Sequence, residues 1–313
     1  MKKRLIIGSR SSDLALWQTS YVKSEIEKYN KDVEVQTRLV NTKGDKILDV
    51  ALSKIGDKGL FTKELETELL NGNIDIAVHS LKDLETKIPE GLKLAAVTRR
   101  HEVEDVLIAK KHGITIKMLP DNATVATGSL RRGSQIKHLR PDIHVIDLRG
   151  NVPTRIQKFI DSDWDAIILA RAGVERLNLG RHISSFIDIN EIVPAVGQGA
   201  LGIEIKRDNT FADEILQSIH HKNTFIAVTA ERALLKALEG GCQVPIGAYA
   251  EVKPNGLYLF ASVGSIDGTI QYRKKIRGSK KEPENLGKRL ADDLLKAGAK
   301  EILEEIYRTV RIT

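Results

Sequence analysis

The chain reads as an α/β protein carrying a small α+β region at its end, and three observations support that reading. Over roughly the first two hundred residues, short apolar runs alternate with helix-period patterns, as in βαβ units with mainly parallel sheets. Over roughly the last ninety, the order becomes one long helix, three strands and two helices. The three strands join through Asn255-Gly256 and Asp267-Gly268, pairs favoured in tight hairpin turns, which predicts an antiparallel sheet. Two breaks, Thr98-Arg99-Arg100-His101-Glu102 and Pro194-Ala195-Val196-Gly197-Gln198-Gly199, interrupt the α/β part. Read as crossings between the same two lobes, they predict a ligand cleft at the strand ends. The expected division is 1–99 with 198–218, then 100–197, then 219–313.

The elements follow in order. Arg4–Ser9 is a strand, and Leu14, Trp17, Tyr21 and Ile26 mark an amphipathic helix. Val33–Val40 alternates as a second strand. Phe61–Leu70 is a helix with Leu65 and Leu69 on one face, and Ile74–Val78 is a buried strand. Leu92–Val97, Val106–Ala109 and Thr124–Thr127 continue the series, then a helix near Leu130–Leu139 and a strand at His144–Leu148. Ala166–Ala170 is apolar throughout and short, hence a fully buried strand. Thr224–Leu238 is the long helix of the last region, and Leu286, Leu290 and Leu294 repeat every fourth residue on a later one.

Of 313 residues, 49 are Lys or Arg and 42 are Asp or Glu, a formal charge of +7 that favours acidic partners: nucleic acid, anionic membrane or polycarboxylate. Met1-Lys2-Lys3-Arg4 before Leu5-Ile6-Ile7 imitates a signal peptide, but the apolar stretch ends at once, so a cytoplasmic protein is expected. No window approaches the roughly 18 apolar residues of a spanning helix. The single cysteine, Cys242, excludes an intramolecular disulfide and any multi-cysteine metal site, and no metal is expected. It lies in Gly240-Gly241-Cys242-Gln243-Val244-Pro245-Ile246-Gly247, a turn between the long helix and the first strand of the last region. Either an inert buried thiol or one with a covalent role fits that run.

Gly197-Gln198-Gly199-Ala200-Leu201-Gly202 matches a dinucleotide fingerprint in letters only, because Ile203–Lys206 continues as a strand; a hinge is the better reading. Val78-His79-Ser80-Leu81-Lys82-Asp83-Leu84 follows a buried strand, where polar residues point into the cleft of an open α/β sheet. There Asp83 can hold a carboxylate ionised as positive charge develops on a substrate. Three strand-to-helix turns each carry Arg with Ser or Thr: Gly8-Ser9-Arg10-Ser11-Ser12, Thr127-Gly128-Ser129-Leu130-Arg131-Arg132 and Leu148-Arg149-Gly150-Asn151-Val152-Pro153-Thr154-Arg155. Helix starts offer backbone N–H groups and Arg offers bidentate forks, so the three together predict an anion-binding cleft. Single-strand nucleic-acid binding would couple such a groove to stacking aromatics, and these turns contain none. A compact polycarboxylate fits better.

Taken together with Leu14-Ala15-Leu16-Trp17-Gln18, Lys58-Gly59-Leu60-Phe61-Thr62-Lys63-Glu64, Asp75–Asp83 and Glu239–Gly247, these motifs resemble the porphobilinogen deaminase family essentially end to end. The resemblance implies two domains like periplasmic binding proteins with a central cleft, and a third, small α+β domain. It implies a transferase that condenses four porphobilinogens on a dipyrromethane cofactor, held by a thioether to Cys242. Ammonia is lost at each step, and linear hydroxymethylbilane is hydrolysed off. Asp83 falls on the family's catalytic aspartate. Lys82, Ser129, Arg131, Arg132 and Arg155 fall where the cofactor's carboxylates are held. Arg10, Ser12, Gln18, Thr127, Arg149 and Arg176 match substrate-side positions, and Lys54 and Lys58 lie in a mobile covering loop. The expected molecule is a monomer that binds neither nucleic acid nor membrane. A two-lobed carboxylate binder without turnover is the alternative. Asp13, Glu85, Ala126 and Gly128 depart from the family's usual Pro, Pro, Gly and Ser.

Overall fold

A computed structural model describes residues 3–42, 59, 62–239 and 244–312. Lys54, Lys58, Phe61 and Cys242 lie outside the described residues. The chain divides into two compact units. One takes the described residues up to His101 and Gly199–Phe225; the other takes Glu102–Gln198 and the described residues from Ile226 onward.

In the first unit β1 (Lys3–Ser9) leads into α1 (Asp13–Tyr29) and then β2 (Val33–Leu39), which pairs parallel with β1 from Lys3↔Val33 to Ser9↔Leu39. Val22 and Ile26, four apart, put the apolar stripe of α1 into the core, and the helix stops at Asn30, whose side chain and backbone both donate to the Ile26 carbonyl. Next come α2 (Lys63–Leu70), with Leu65 and Leu69 fully buried, β3 (Ile76–Ser80) and β4 (Leu92–Val97). The second unit opens with β5 (Asp105–Ala109), β6 (Thr124–Ala126), α3 (Leu130–Leu139), β7 (His144–Ile146), α4 (Val152–Ile160), β8 (Ala166–Ala170), α5 (Arg171–Arg176) and β9 (Ser185–Phe186). Strand β10 (Leu201–Lys206) and α6 (Thr210–Leu216) belong to the first unit, and α7 (Lys222–Ala237) follows them. The chain then forms β11 (Ile246–Lys253), β12 (Gly256–Gly264), β13 (Gln271–Gly278), α8 (Pro283–Leu294) and α9 (Lys300–Ile312).

The two larger sheets have the orders β2-β1-β3-β10-β4 and β7-β6-β8-β5-β9, one plan used twice. In each, the pairings set four strands in one direction and one against them: β10 is antiparallel to β3 and β4, and β5 is antiparallel to β8 and β9. The sheets are therefore mixed, with the expected parallel βαβ direction interrupted by one inserted strand. Those strands, β5 and β10, are the first in each stretch after the chain changes units. The third sheet is β11-β12-β13, antiparallel throughout, and α7, α8 and α9 cover one face. Leu286, Leu290 and Leu294 do pack there, against Leu259, Ala261 and Val263 among others. The fold class is the one expected in outline: two five-stranded α/β sheets and a three-stranded antiparallel sheet covered by helices.

The hairpin reading needs correction. Lys253 pairs with Gly256, so the two loop residues are Pro254 and Asn255, and Gly256 opens β12 at φ +151°. A Cβ there would come within 3.0 Å of the Gly278 carbonyl, so glycine serves close strand approach rather than the turn itself. The second connection, between Gly264 and Gln271, is longer than a tight turn, with Asp267 accepting from Ser265 and Thr269.

The segment 194–199 contains Gly197 and Gly199 at positive φ, as a sharp crossing requires. Its second-unit end is tied down by Glu231, fully buried, which accepts from the Gly197 N–H through one carboxyl oxygen and from the Ala250 N–H through the other, both at 2.7 Å. Glu231→Gln turns one acceptor into a donor facing an N–H. A loss of about 1–3 kcal/mol in denaturant unfolding is expected; an unchanged midpoint would show that the tie contributes nothing.

Candidate anion-binding site

The site residues fall into two groups, one in each unit. In the first, Arg10 follows β1, Ser12 precedes α1, and Lys82 and Asp83 form a short 3₁₀ turn directly after β3. Strands β1 and β3 are parallel neighbours, so all four stand at the same sheet edge. Buried Gln18 joins them by donating to the Ser80 hydroxyl at 2.7 Å. Asp83 is exposed at the tip of its turn. The turn's base is held by the Leu81 N–H, which donates to the Ala200 carbonyl at 3.0 Å, and Gly202 leaves room for Leu81. Beneath lie buried His79 and Glu204, with Nε2 and Oε2 3.2 Å apart. Burial and the Glu204 charge push nearby Glu66 up from its ordinary carboxylate value.

The second group lines the matching edge of the other sheet. Thr127, Ser129, Arg131 and Arg132 follow β6, Arg149 and Arg155 follow β7, and Arg176 closes α5 after β8. The helix starts are less open than the sequence implies. Ser129 caps α3 by accepting from the Arg132 N–H at 3.5 Å, and Asn151 caps α4 by accepting from the Thr154 N–H at 2.9 Å. The buried Thr127 hydroxyl accepts from the Ser129 N–H. Arg155 donates through Nε to the Gly150 carbonyl at 2.6 Å, and Arg149 Nε lies 3.3 Å from Asp147. Gly128 is constrained: a Cβ there would lie 2.8 Å from the Leu148 carbonyl and 2.9 Å from Asp147 Oδ1. Asp13 is the first residue of α1, where an acid favours the helix dipole.

Sequence reasoning missed the residue that organises this group. Asp105, the first residue of β5 and fully buried, accepts from Arg131 Nη2 at 2.7 Å through one oxygen and from Arg132 Nη2 at 2.8 Å through the other. Gln198 adds a third donor at 2.9 Å. Because β5 runs against β8, with Asp105 opposite Ala170, its start lies at the strand ends where the arginines stand. Burial alone would raise the Asp105 carboxyl, but Arg131 and Arg132 outweigh it and hold the group well below the usual carboxylate range. Burial likewise pushes Arg131 down, with Asp105 opposing. Two guanidiniums and one carboxylate leave 2 − 1 = +1 of buried charge. Arg132 Nε is also buried, with no hydrogen-bond partner among the described residues. An orphaned donor beside an unbalanced positive charge suits an anion. The only signal for Asp105 was an acid opening a strand, too common to single out.

Among the described residues, no helix is long and apolar enough to cross a membrane, and no His/Cys/Asp/Glu group is arranged to hold a metal ion.

Guanidinium groups thus gather at the strand ends of an α/β sheet, two of them buried around one carboxylate. Two family models match the chain: "Porphobilinogen deaminase, dipyromethane cofactor binding domain" over residues 5–214, and "Porphobilinogen deaminase, C-terminal domain" over residues 225–296. The chain belongs to the porphobilinogen deaminase family. A porphobilinogen deaminase of Carboxydothermus hydrogenoformans is 53% identical over 308 residues, covering 98% of this chain and 99% of the relative. One from Chlorobium phaeobacteroides is 50% identical over 313 residues, covering 99% and 100%. Among solved structures, the methionine-binding protein MetQ overlays with a TM-score of 0.44 at 12% identity, over 71% of this chain and 92% of its own. That likeness adds nothing to the fold described above.

The Asp105 arrangement makes a stability prediction. Asp105→Asn leaves two buried guanidiniums unopposed and should cost about 3–5 kcal/mol. A depressed folded pKa contributes stability that is complete above the unfolded value, about 3.9, and is lost as pH falls through the folded value. The loss should therefore be the same across about pH 5–8 in urea unfolding. A loss that shrinks toward pH 8 would contradict it.

Proposed function

We propose that the chain condenses four porphobilinogen molecules head to tail, releases four ammonia molecules and, with one water, yields linear hydroxymethylbilane. The observation that carries this reading is the buried Asp105–Arg131–Arg132 group, with its surplus positive charge and unpartnered Arg132 Nε, in a chain of this family. A dipyrromethane group fits it: an arginine edge with no aromatic in its turns suits a ligand whose pyrroles carry acetate and propionate. When bound by a thioether to Cys242, that group supplies the free pyrrole α-carbon from which the chain grows.

The protein's own residues bind, orient and manage charge. Arg131, Arg132, Arg155, Lys82 and Ser129 hold the cofactor's carboxylates, by charge-assisted and bidentate hydrogen bonds where the donor is arginine. Arg10, Arg149 and Arg176, with Ser12, Gln18 and Thr127, hold those of the incoming substrate. As the bond between the substrate's aminomethyl carbon and its nitrogen breaks, positive charge spreads over the pyrrole, and the Asp83 carboxylate stabilises it. Asp83 also takes the proton lost when each new carbon–carbon bond forms. Its exposure at the end of β3 keeps it within reach of a ligand. Lys54 and Lys58 belong to a covering loop. The division into 1–99 with 198–218, 100–197 and 219–313 is part of this reading, as are a cytoplasmic monomer and the lack of nucleic-acid or membrane partners.

Incubation with porphobilinogen should release ammonia and linear tetrapyrrole in a 4:1 ratio; tight binding without ammonia release would point to a carboxylate binder instead. Asp83→Asn should lower turnover by about 10²–10⁴-fold with an unchanged thermal midpoint. Near-normal turnover would reject its role. Arg149→His should raise KM for porphobilinogen more than it lowers stability, and a change in thermal midpoint alone would remove Arg149 from the substrate side.

A further inference from the structure

One peptide in the second unit links the arginine group to the strand that follows the Cys242 run. Val193 is fully buried, and its carbonyl accepts from Arg131 Nη1 at 2.8 Å and from Gln135 Nε2 at 3.1 Å. Its N–H donates back to Gln135 Oε1 at 2.8 Å. Gln135 lies one helical turn beyond Arg131 on α3, so its amide pairs with the Val193 peptide as a neighbouring strand would. Gln135 is itself 2% exposed, so neither end of that pair can be exchanged for water without opening the core.

The other side of the same peptide meets β11. Gly247 approaches so closely that a Cβ there would lie 2.5 Å from the Val193 carbonyl oxygen, 2.9 Å from Val193 Cβ and 3.1 Å from the Pro194 carbonyl. The next residue, Ala248, donates its N–H to the Pro194 carbonyl at 2.9 Å. The Pro245 carbonyl accepts from the Gly264 N–H at 3.2 Å, and Gly264 in turn leaves room for Ser134 of α3. Thus α3, Val193–Pro194 and the start of β11 form one continuous set of buried contacts. At its ends stand Arg131 and the strand β11, which begins four residues after Cys242 in sequence.

The geometry points to Gln135 and Gly247 as positioning residues: through the Val193 peptide they set the register between the Arg131 guanidinium and the strand continuing from the cofactor's attachment. The inference rests on the proposed tether at Cys242. A tethered polyanion is productive only when its attachment and its carboxylate receivers stay in one alignment, and misplacement by about 1 Å can cost about 10²-fold in rate.

The test compares Gln135→Met, which removes both amide bonds, and Gly247→Ala, which forces a Cβ against Val193. A control, Ile302→Ala, removes a buried side chain from the core that packs on the third sheet and touches neither Val193 nor Gln135 in any hydrogen bond named above. Intact mass gives the fraction of each protein bearing the adduct, and turnover is expressed per adduct-bearing molecule, so incomplete loading does not enter; the control accounts for partial unfolding. Both variants should lose between about 10- and 100-fold of that turnover, with KM for porphobilinogen unchanged, while the control, at a comparably lowered thermal midpoint, keeps it. Wild-type turnover per loaded molecule in both variants, or an equal loss in the control, would overturn the inference. A wild-type protein without adduct or ammonia release would instead mark the failure of the proposed function, and this inference would fall with it.

Discussion

The arginine edge of the second unit depends on one buried carboxylate holding two guanidiniums. Without Asp105, Arg131 and Arg132 would repel each other in a medium that screens poorly, and burying either would be costly. With it, both are fixed, yet the group keeps one unit of positive charge and an unused Arg132 donor. In the proposed function, that imbalance is what would attract a polyanion, and the rigidity what would select its shape. Gln198 and Val193, which bind Asp105 and Arg131 from outside the helix, show that the pair is held by tertiary structure as much as by α3.

The topology explains how distant segments reach that edge. Running β5 against its neighbours delivers Asp105 to the strand ends where the β6, β7 and β8 connections emerge. In the first unit, the antiparallel β10 meets β3 so that Ala200 holds the base of the turn bearing Asp83. In both units the strand that breaks the parallel pattern anchors residues of the candidate site. Glycines complete the arrangement where backbones nearly touch, at Gly202 against Leu81 and at Gly247 against Val193.

What could be read from the chain was whatever its physics makes local. Leu92–Val97, Leu130–Leu139 and Ala166–Ala170 have the bounds read from the sequence, because short, mostly apolar runs and a capped helix carry their own signals. The arginine-bearing turns were legible for the same reason: each lies between a strand and a helix that announce themselves. The reversed directions of β5 and β10 were not, since direction depends on partners far away in sequence. Asp105, Gln135 and Val193 are tied together through contacts spanning 26 to 93 residues, and no local pattern reports those. The Pro254-Asn255 loop was misread because Gly256 is glycine for strand spacing, a need set by Gly278.

The central claim, that the guanidinium edge receives a polyanion covalently borne by this chain, has a direct test. Intact-mass spectrometry of the purified protein, followed by peptide mapping, should find the mass of two linked pyrrole units on the peptide containing Cys242, and none in Cys242→Ser. A wild-type protein at its unmodified mass, still unmodified after exposure to porphobilinogen, would contradict the account.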